Sequence, residues 1–361
     1  MSKNKHIKFL NKAHNLAKKK FGSTFPNPVV GCIIENNNKI VSTGVTASEG
    51  RPHAEEIALK KAGDKAKGSS MYVTLEPCFH KSHNGSCAEQ ILRSGIKALY
   101  IAKHDPDKRT NKKSIKKLKN NGIKVVSDLL KEKTNLLNHF FFHSLKEKRP
   151  FIKVKMAISS DEKIAKFDYN SKWISNSLSR EYSHSLRFAS QVILTTSKTI
   201  IKDNPRFTIR KKDKIIKYIP TIIIDTTLKI PLSIKLLKDI SKKRIIIFTT
   251  SKGKKYEYLK RIGCEIILMR KNKQNKMNLK TIFDKIYALK INDVFVEAGG
   301  IFFTELHKNN LVDELHLFKS KKIIGKNGKP FMIKNKISDL NVKEVSRTKF
   351  RNDIYQHLKF F

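Results

Sequence analysis

Three potential zinc ligands far apart in the chain constrain its fold more than any other feature: His53 of His53-Ala54-Glu55, Cys78 of Pro77-Cys78, and Cys87. One imidazole and two thiolates can share a tetrahedral ion only if the segments carrying them are packed together. The local sequence indicates how. Arg51-Pro52-His53-Ala54-Glu55-Glu56-Ile57-Ala58-Leu59 reads as a helix start, with proline near the first turn and Ile57 and Ala58 at core spacing. Met71-Tyr72-Val73-Thr74-Leu75 reads as a short strand, and Glu76-Pro77-Cys78 turns off its end. Cys87 opens a second helix, Cys87-Ala88-Glu89-Gln90-Ile91-Leu92, which Gly95 stops. Cys78 then sits where backbone N–H groups point at a thiolate and lower its pKa.

Three soft ligands leave the fourth position of zinc open, as in a catalytic rather than a structural site. Glu55 cannot easily ligate the same ion as His53, but it can reach the open position, where water is activated at neutral pH. That is the logic of zinc deaminases: water attacks the amino-bearing carbon of a base, and the glutamate passes a proton to the departing ammonia. The bland alternative is two buried thiols beside a capping histidine, with Glu55 on a helix surface. It needs all three ligands and the Pro-Cys turn to coincide by chance.

Spacing discriminates further. Nucleic-acid and cytidine deaminases usually carry Pro-Cys-x-x-Cys, whereas here the eight residues 79–86 separate Cys78 from Cys87. Thr74-Leu75-Glu76-Pro77-Cys78, His80 and Cys87 resemble the deaminase half of the bifunctional riboflavin-biosynthesis deaminase/reductases, as do Pro26-Asn27-Pro28-Val29-Val30-Gly31 and Asp105-Pro106. Phe151-Ile152-Lys153-Val154-Lys155-Met156-Ala157, Ser159, Asp161, Lys163-Ile164-Ala165 and Ser171-Lys172-Trp173-Ile174 resemble the start of that family's reductase half. Thr199, Asp203-Asn204-Pro205, Thr208, Arg210, Val296-Glu297-Ala298-Gly299 and Leu311-Val312-Asp313-Glu314-Leu315 continue the match. The segments follow family order over nearly the whole chain.

The resemblance implies two domains. Residues 1–146 would be a cytidine-deaminase-like, three-layer α/β/α deaminase, and residues 147–361 a dihydrofolate-reductase-like α/β reductase. It implies zinc and NADPH as cofactors. The reactions would be deamination of 2,5-diamino-6-(5-phosphoribosylamino)pyrimidin-4-one and then reduction of the ribosyl group to ribityl. Asn27 would hold the pyrimidine edge, although a residue between two prolines also suits a plain turn. Ala157, Trp173, Thr199 and Asp203 would contact the cofactor, and Gly299-Gly300 at a strand end would let backbone approach phosphates. Ser171, Arg187, Phe207, Arg210 and Glu297 would contact substrate, the arginines suiting a phosphate by their fork. Trp173 could otherwise be core and Arg187 a solvated helix residue. Three positions depart from the family: Thr46 stands for its histidine, His83 for its loop basic residue, and Glu162 for a glycine. A side chain at that last turn would cost about 1 kcal/mol.

With 361 residues the chain exceeds one compact core. The charged, proline-terminated Lys146-Glu147-Lys148-Arg149-Pro150 marks the junction. Both halves alternate helix and strand, an α/β signature. The first half offers strands near 29–35, 39–43, 71–75, 98–102 and 124–127, and one helix carrying Leu136, Leu137 and Phe140 to Phe142. The second half offers strands near 151–158, 192–195, 221–225, 244–249, 265–268 and 293–297. No G-x-G-x-x-G is present, which counts weakly against a Rossmann domain.

A net charge of +45 and a pI near 10.1 invite a nucleic-acid role. The lysines, however, are dispersed. In Asn111-Lys112-Lys113-Ser114-Ile115-Lys116-Lys117-Leu118-Lys119 they form a solvated helix face with no interleaved aromatics to stack on bases. Such a surface suits anionic metabolites, including a ribose phosphate. A nucleic-acid-editing deaminase with an RNA-binding C-terminal half, and an enzyme with one decayed domain, are the competing functions. Cys32 and Cys264 are expected as buried thiols, consistent with a reducing cytoplasm. No apolar run approaches a membrane span and no signal peptide is apparent. A cytoplasmic homo-oligomer is expected.

Overall fold

The structure, a computed structural model, describes residues 3–80, 85–168 and 173–361. The chain folds as two compact units, Met1–Lys148 and Arg149–Phe361.

The first unit runs α1 (Lys3–Lys18), β1 (Gly31–Asn36), β2 (Lys39–Val45), α2 (Ala54–Ala62), β3 (Ser70–Val73), α3 (Cys87–Arg93), β4 (Ala98–Ile101), α4 (Lys113–Asn120), β5 (Lys124–Val126), α5 (Lys131–Leu137) and α6 (His139–Glu147). Its sheet has the order β2-β1-β3-β4-β5, antiparallel around β1 and parallel from β3 to β5. Alternate strand residues feed two cores, because successive side chains point to opposite faces. Ile34, Met71, Val73, Leu99 and Ile101 meet α2, α3 and α4 through Ala58, Ile91 and Leu118. Ile33, Tyr72 and Tyr100 meet Phe9, Leu10 and Ala13 of α1. The result is the expected three-layer α/β/α arrangement. At Gly44 a Cβ would lie 2.0 Å from the Ala54 carbonyl oxygen, so α2 approaches the β2 backbone as only glycine permits. The helix expected around Leu136 is two helices instead. Buried Asn138 breaks it, accepting from Val29 N at 2.9 Å and donating to Val29 O at 3.1 Å.

The second unit begins with β6 (Phe151–Ile158), β7 (Lys163–Ala165), α7 (Ser177–Phe188), β8 (Val192–Thr196), α8 (Ser197–Asp203), β9 (Thr208–Lys211), β10 (Lys214–Tyr218) and β11 (Thr221–Ile224). It continues with β12 (Ile245–Thr249), α9 (Lys254–Arg261), β13 (Glu265–Leu268), α10 (Leu279–Ala288), β14 (Asp293–Val296), α11 (Gly300–Lys308), β15 (Glu314–Lys319), β16 (Lys329–Pro330), β17 (Val342–Phe350) and β18 (Asp353–Phe360). A nine-stranded sheet has the order β13-β12-β11-β8-β14-β6-β15-β18-β17. The strands from β13 to β15 are parallel, and β18 and β17 close the edge as an antiparallel hairpin. Isoleucine-rich β11 and β12 are buried on both faces, as a helix-covered parallel sheet requires. In such sheets ligands gather at the carboxyl ends of the strands.

Candidate functional site

α2 starts at Ala54, with His53 as its extended N-cap residue; the His53 side chain makes no capping bond. α3 starts at Cys87 behind a reciprocal cap: Ser86 Oγ accepts from Glu89 N at 3.2 Å, and Glu89 accepts from Ser86 N at 3.1 Å. These two helix starts and the turn after β3 meet. Cys87 N donates to Cys78 Sγ at 3.3 Å, and His53 Nδ1 lies 3.3 Å from Cys87 Sγ. One ligand atom from each of His53, Cys78 and Cys87 lies within 4.8 Å of the others. Nitrogen and sulfur ligands of one tetrahedral zinc are about 3.5 Å apart, so the donor set and its spacing fit that ion. Hydrogen bonds from the Cys87 thiol and His53 pull the Cys78 thiol down to about 4, while the bond to Cys78 and burial push Cys87 up. One thiolate is thus stabilised by the protein itself.

Glu55, in the first turn of α2, is only 3% exposed and is not among the converging ligands. Burial raises its carboxyl to about 7, where a group can both take and release a proton near neutrality. Asn27 Nδ2 donates to Gly50 O at 2.9 Å. Thr46 is buried and its Oγ1 accepts from Val30 N at 2.9 Å, tying two loop ends together. His83 lies outside the described residues. Sequence reasoning gave Glu76 no role beyond the turn. Buried Glu76 accepts from Ser114 Oγ at 2.7 Å, Lys112 N at 3.1 Å and Asp105 N at 3.2 Å, anchoring the Pro77-Cys78 turn. Its signal was its place immediately before that turn.

The reductase candidates collect around α7, α8, β9 and the ends of β6 and β14. Arg187 meets Glu297 in a bidentate pair, Nε to Oε1 at 2.5 Å and Nη2 to Oε2 at 2.9 Å, and Nη1 donates to Thr208 O at 3.2 Å. The fork expected to face a phosphate is therefore engaged by a carboxylate in this structure. The pair overcomes burial, keeping Arg187 charged and the Glu297 carboxyl low. Arg210 Nε donates to Thr208 Oγ1 at 3.1 Å, and the Arg187 guanidinium sits 5.7 Å from the Phe207 ring centre. Phe207 is buried with φ at 45°. Ala157 is half-buried on β6, Thr199 is held by the Thr196 cap, and Asp203 ends α8. Trp173 is 60% exposed under the Arg180 guanidinium, so it is no core residue. A Cβ on Gly300 would lie 2.5 Å from Phe331 O, whereas one on Gly299 would meet nothing within 4 Å. Only Gly300 is required by packing. Ser171 lies outside the described residues. Glu162 takes φ of 59°, the left-handed region that its glycine-like position predicts. Sequence reasoning passed over Lys155, whose pKa burial lowers despite Glu297 nearby.

No described helix is long and apolar enough to cross a membrane. Residues 3–103 match the cytidine and deoxycytidylate deaminase zinc-binding region, and residues 150–355 match the RibD C-terminal domain. The riboflavin biosynthesis protein RibD of Aquifex aeolicus is 37% identical over 88% of this chain and 87% of its own length. That of Buchnera aphidicola is 34% identical over 96% and 94%. The structure of a deaminase/reductase from Thermotoga maritima aligns over 99% of both chains with a TM-score of 0.85 and 29% identity. Acinetobacter baumannii RibD aligns over 99% of both with a TM-score of 0.88 and 25% identity. Both halves carry their family match, which disfavours the nucleic-acid-editing and single-activity alternatives. The chain belongs to the RibD family, the bifunctional deaminase/reductases of riboflavin biosynthesis.

Proposed function

We propose that residues 1–146 perform the deamination, with His53, Cys78 and Cys87 holding zinc and Glu55 moving the protons. The convergence of three zinc-type donors beside a buried, non-ligating glutamate carries this assignment. Bound zinc supplies Lewis acidity that activates water. Glu55 takes a proton from the attacking water and delivers it to the nitrogen that leaves as ammonia. Glu76 keeps the Cys78 turn fixed, and Asn27 orients the pyrimidine edge. The substrate is 2,5-diamino-6-(5-phosphoribosylamino)pyrimidin-4-one, a small anion suited to a lysine-rich surface, rather than a nucleic acid.

Residues 147–361 reduce the deaminated product. NADPH supplies the hydride that converts ribosyl to ribityl. Ala157, Trp173, Thr199, Asp203, Gly299 and Gly300 hold the cofactor, with Gly299 leaving room for close backbone approach. Ser171, Phe207 and Arg210 position the substrate and its phosphate. The Arg187–Glu297 pair forms a fixed polar wall, and Lys155, with its lowered pKa, donates the proton that accompanies the hydride. Purified enzyme given the pyrimidine should accumulate the deaminated compound alone and form its ribityl derivative once NADPH is added. Mass identification of products decides this, and release of no ammonia would exclude the first step.

A further inference from the structure

Glu314 and His316 on β15 and His357 on β18 form a second cluster of metal-ligating groups, one ligand atom of each within 4.8 Å of the others. Strand geometry produces it. Glu314 and His316 are two residues apart and share a face. His316 pairs directly with His357 across the antiparallel β15–β18 ladder, and the two imidazoles stack with centroids 4.8 Å apart. The cluster lies toward the start of β15, where His316 pairs with Lys155 of β6, whereas Ala157, Glu297 and Gly299 lie at or beyond the carboxyl ends of β6 and β14.

Both Nε2 atoms are buried without a hydrogen-bond partner, and His316 is only 4% exposed. Glu314 Oε2 nevertheless lies 3.6 Å from His316 Nε2 and 3.1 Å from His357 Nε2. Two ligands about 2.0–2.1 Å from one tetrahedral ion are about 3.4 Å apart, and the observed separations straddle that value. On its other side, His316 Nδ1 lies 2.8 Å from the Tyr355 hydroxyl. If Nδ1–H donates to that oxygen, Nε2 keeps its lone pair for a metal, the outer-shell arrangement usual for ligating histidines. Tyr355 is buried, and its ring packs edge-on against Tyr182 of α7 with centroids 4.8 Å apart, which holds it in place. The adjacent Lys153 ammonium is 2.8 Å from Asp293, so its charge is compensated locally.

We propose that Glu314, His316 and His357 form a second site for a divalent transition-metal ion of the zinc class, with water completing the shell. The His357 side chain, 20% exposed, provides the entrance. A bound ion would tie the C-terminal hairpin β17–β18 to the parallel part of the sheet. Nothing in this assignment depends on the residues proposed for deamination or reduction.

The test uses the full chain with Cys78→Ser and Cys87→Ser, which removes the thiolate site. After equilibrium dialysis against zinc, this double variant should retain about one ion per chain and melt at a higher temperature than without zinc. Loaded with cobalt, it should show the visible bands of a tetrahedral ion without the near-ultraviolet thiolate band. Adding His357→Gln, at the partly exposed position, should abolish retention, and Tyr355→Phe should weaken it about 10-fold. Circular dichroism and the metal-free melting temperature verify that each variant is folded. If His357→Gln unfolds, the zinc-dependent melting shift and Tyr355→Phe decide the matter. No retained ion in the double cysteine variant at roughly 100 µM zinc overturns the proposal. So does retention unaffected by His357→Gln in a folded protein.

Discussion

Burial raises two carboxyls in the first unit alike, with different expected consequences. Glu55 adjoins the proposed metal site, so Glu55→Gln should keep zinc while lowering the deamination rate by about 100-fold or more, as loss of a general acid–base does. Metal content measured beside ammonia release checks it; a normal rate would remove Glu55 from the mechanism. Asp105 is not among the converging donors; it accepts from Asp107 N at 2.9 Å, its own N donates to Glu76, and burial raises its carboxyl to about 7. Its folded-state pKa lies above the unfolded one, so its contribution to stability is complete at low pH and declines as pH rises through about 7. Asp105→Asn should therefore gain melting temperature relative to wild type between pH 5 and pH 8. A relative loss over that range would contradict the assignment. At this scale the three converging candidate donors were legible because residue type and turn chemistry are local. The Arg187–Glu297 pair was not, since it joins residues on α7 and after β14 that only the fold brings together.

Elements were legible wherever burial imposes a period. β8, β11, β12 and β14 are largely apolar runs and β6 is apolar at alternate positions; all five were anticipated within a residue or two at each end. The C-terminal hairpin was not anticipated. β17 carries Lys343, Glu344, Ser346, Arg347 and Lys349 and is exposed along almost its whole length, so it has no apolar alternation to read. The break between α5 and α6 escaped for a different reason. It depends on one asparagine side chain bonded to the backbone just before β1, 109 residues earlier. Helix α2 gives the prediction at this scale. Because a Cβ at Gly44 would lie 2.0 Å from the Ala54 carbonyl oxygen, Gly44→Ala must push the start of α2 away from β2. A cost of about 1–3 kcal/mol, the range for overpacking, is expected. The displaced start carries His53, so zinc affinity and deamination should fall while NADPH-dependent reduction persists. Unchanged zinc affinity would show that the helix start absorbs the methyl group.

For the whole chain, two units with separate cores predict separable chemistry. Glu55→Gln should leave reduction of the deaminated substrate intact. Arg210→Ala should raise the reductase Michaelis constant and leave ammonia release unchanged. Steady-state assays of each step in both variants decide this; one substitution disabling both reactions in folded protein would refute it. The charge balance has a consequence of another kind. A surface of 19132 Å² shared among 45 excess positive charges gives each about 425 Å², or a mean spacing of about 20 Å. The Debye length is about 8 Å at physiological salt and about 30 Å at 0.01 M. At physiological salt each excess charge is thus screened from the next by its ion cloud. In dilute buffer the molecule behaves as a polycation straining outward against its own fold. Its stability becomes in part a property of the surrounding electrolyte, rising steeply from low ionic strength and levelling off near that of the cell.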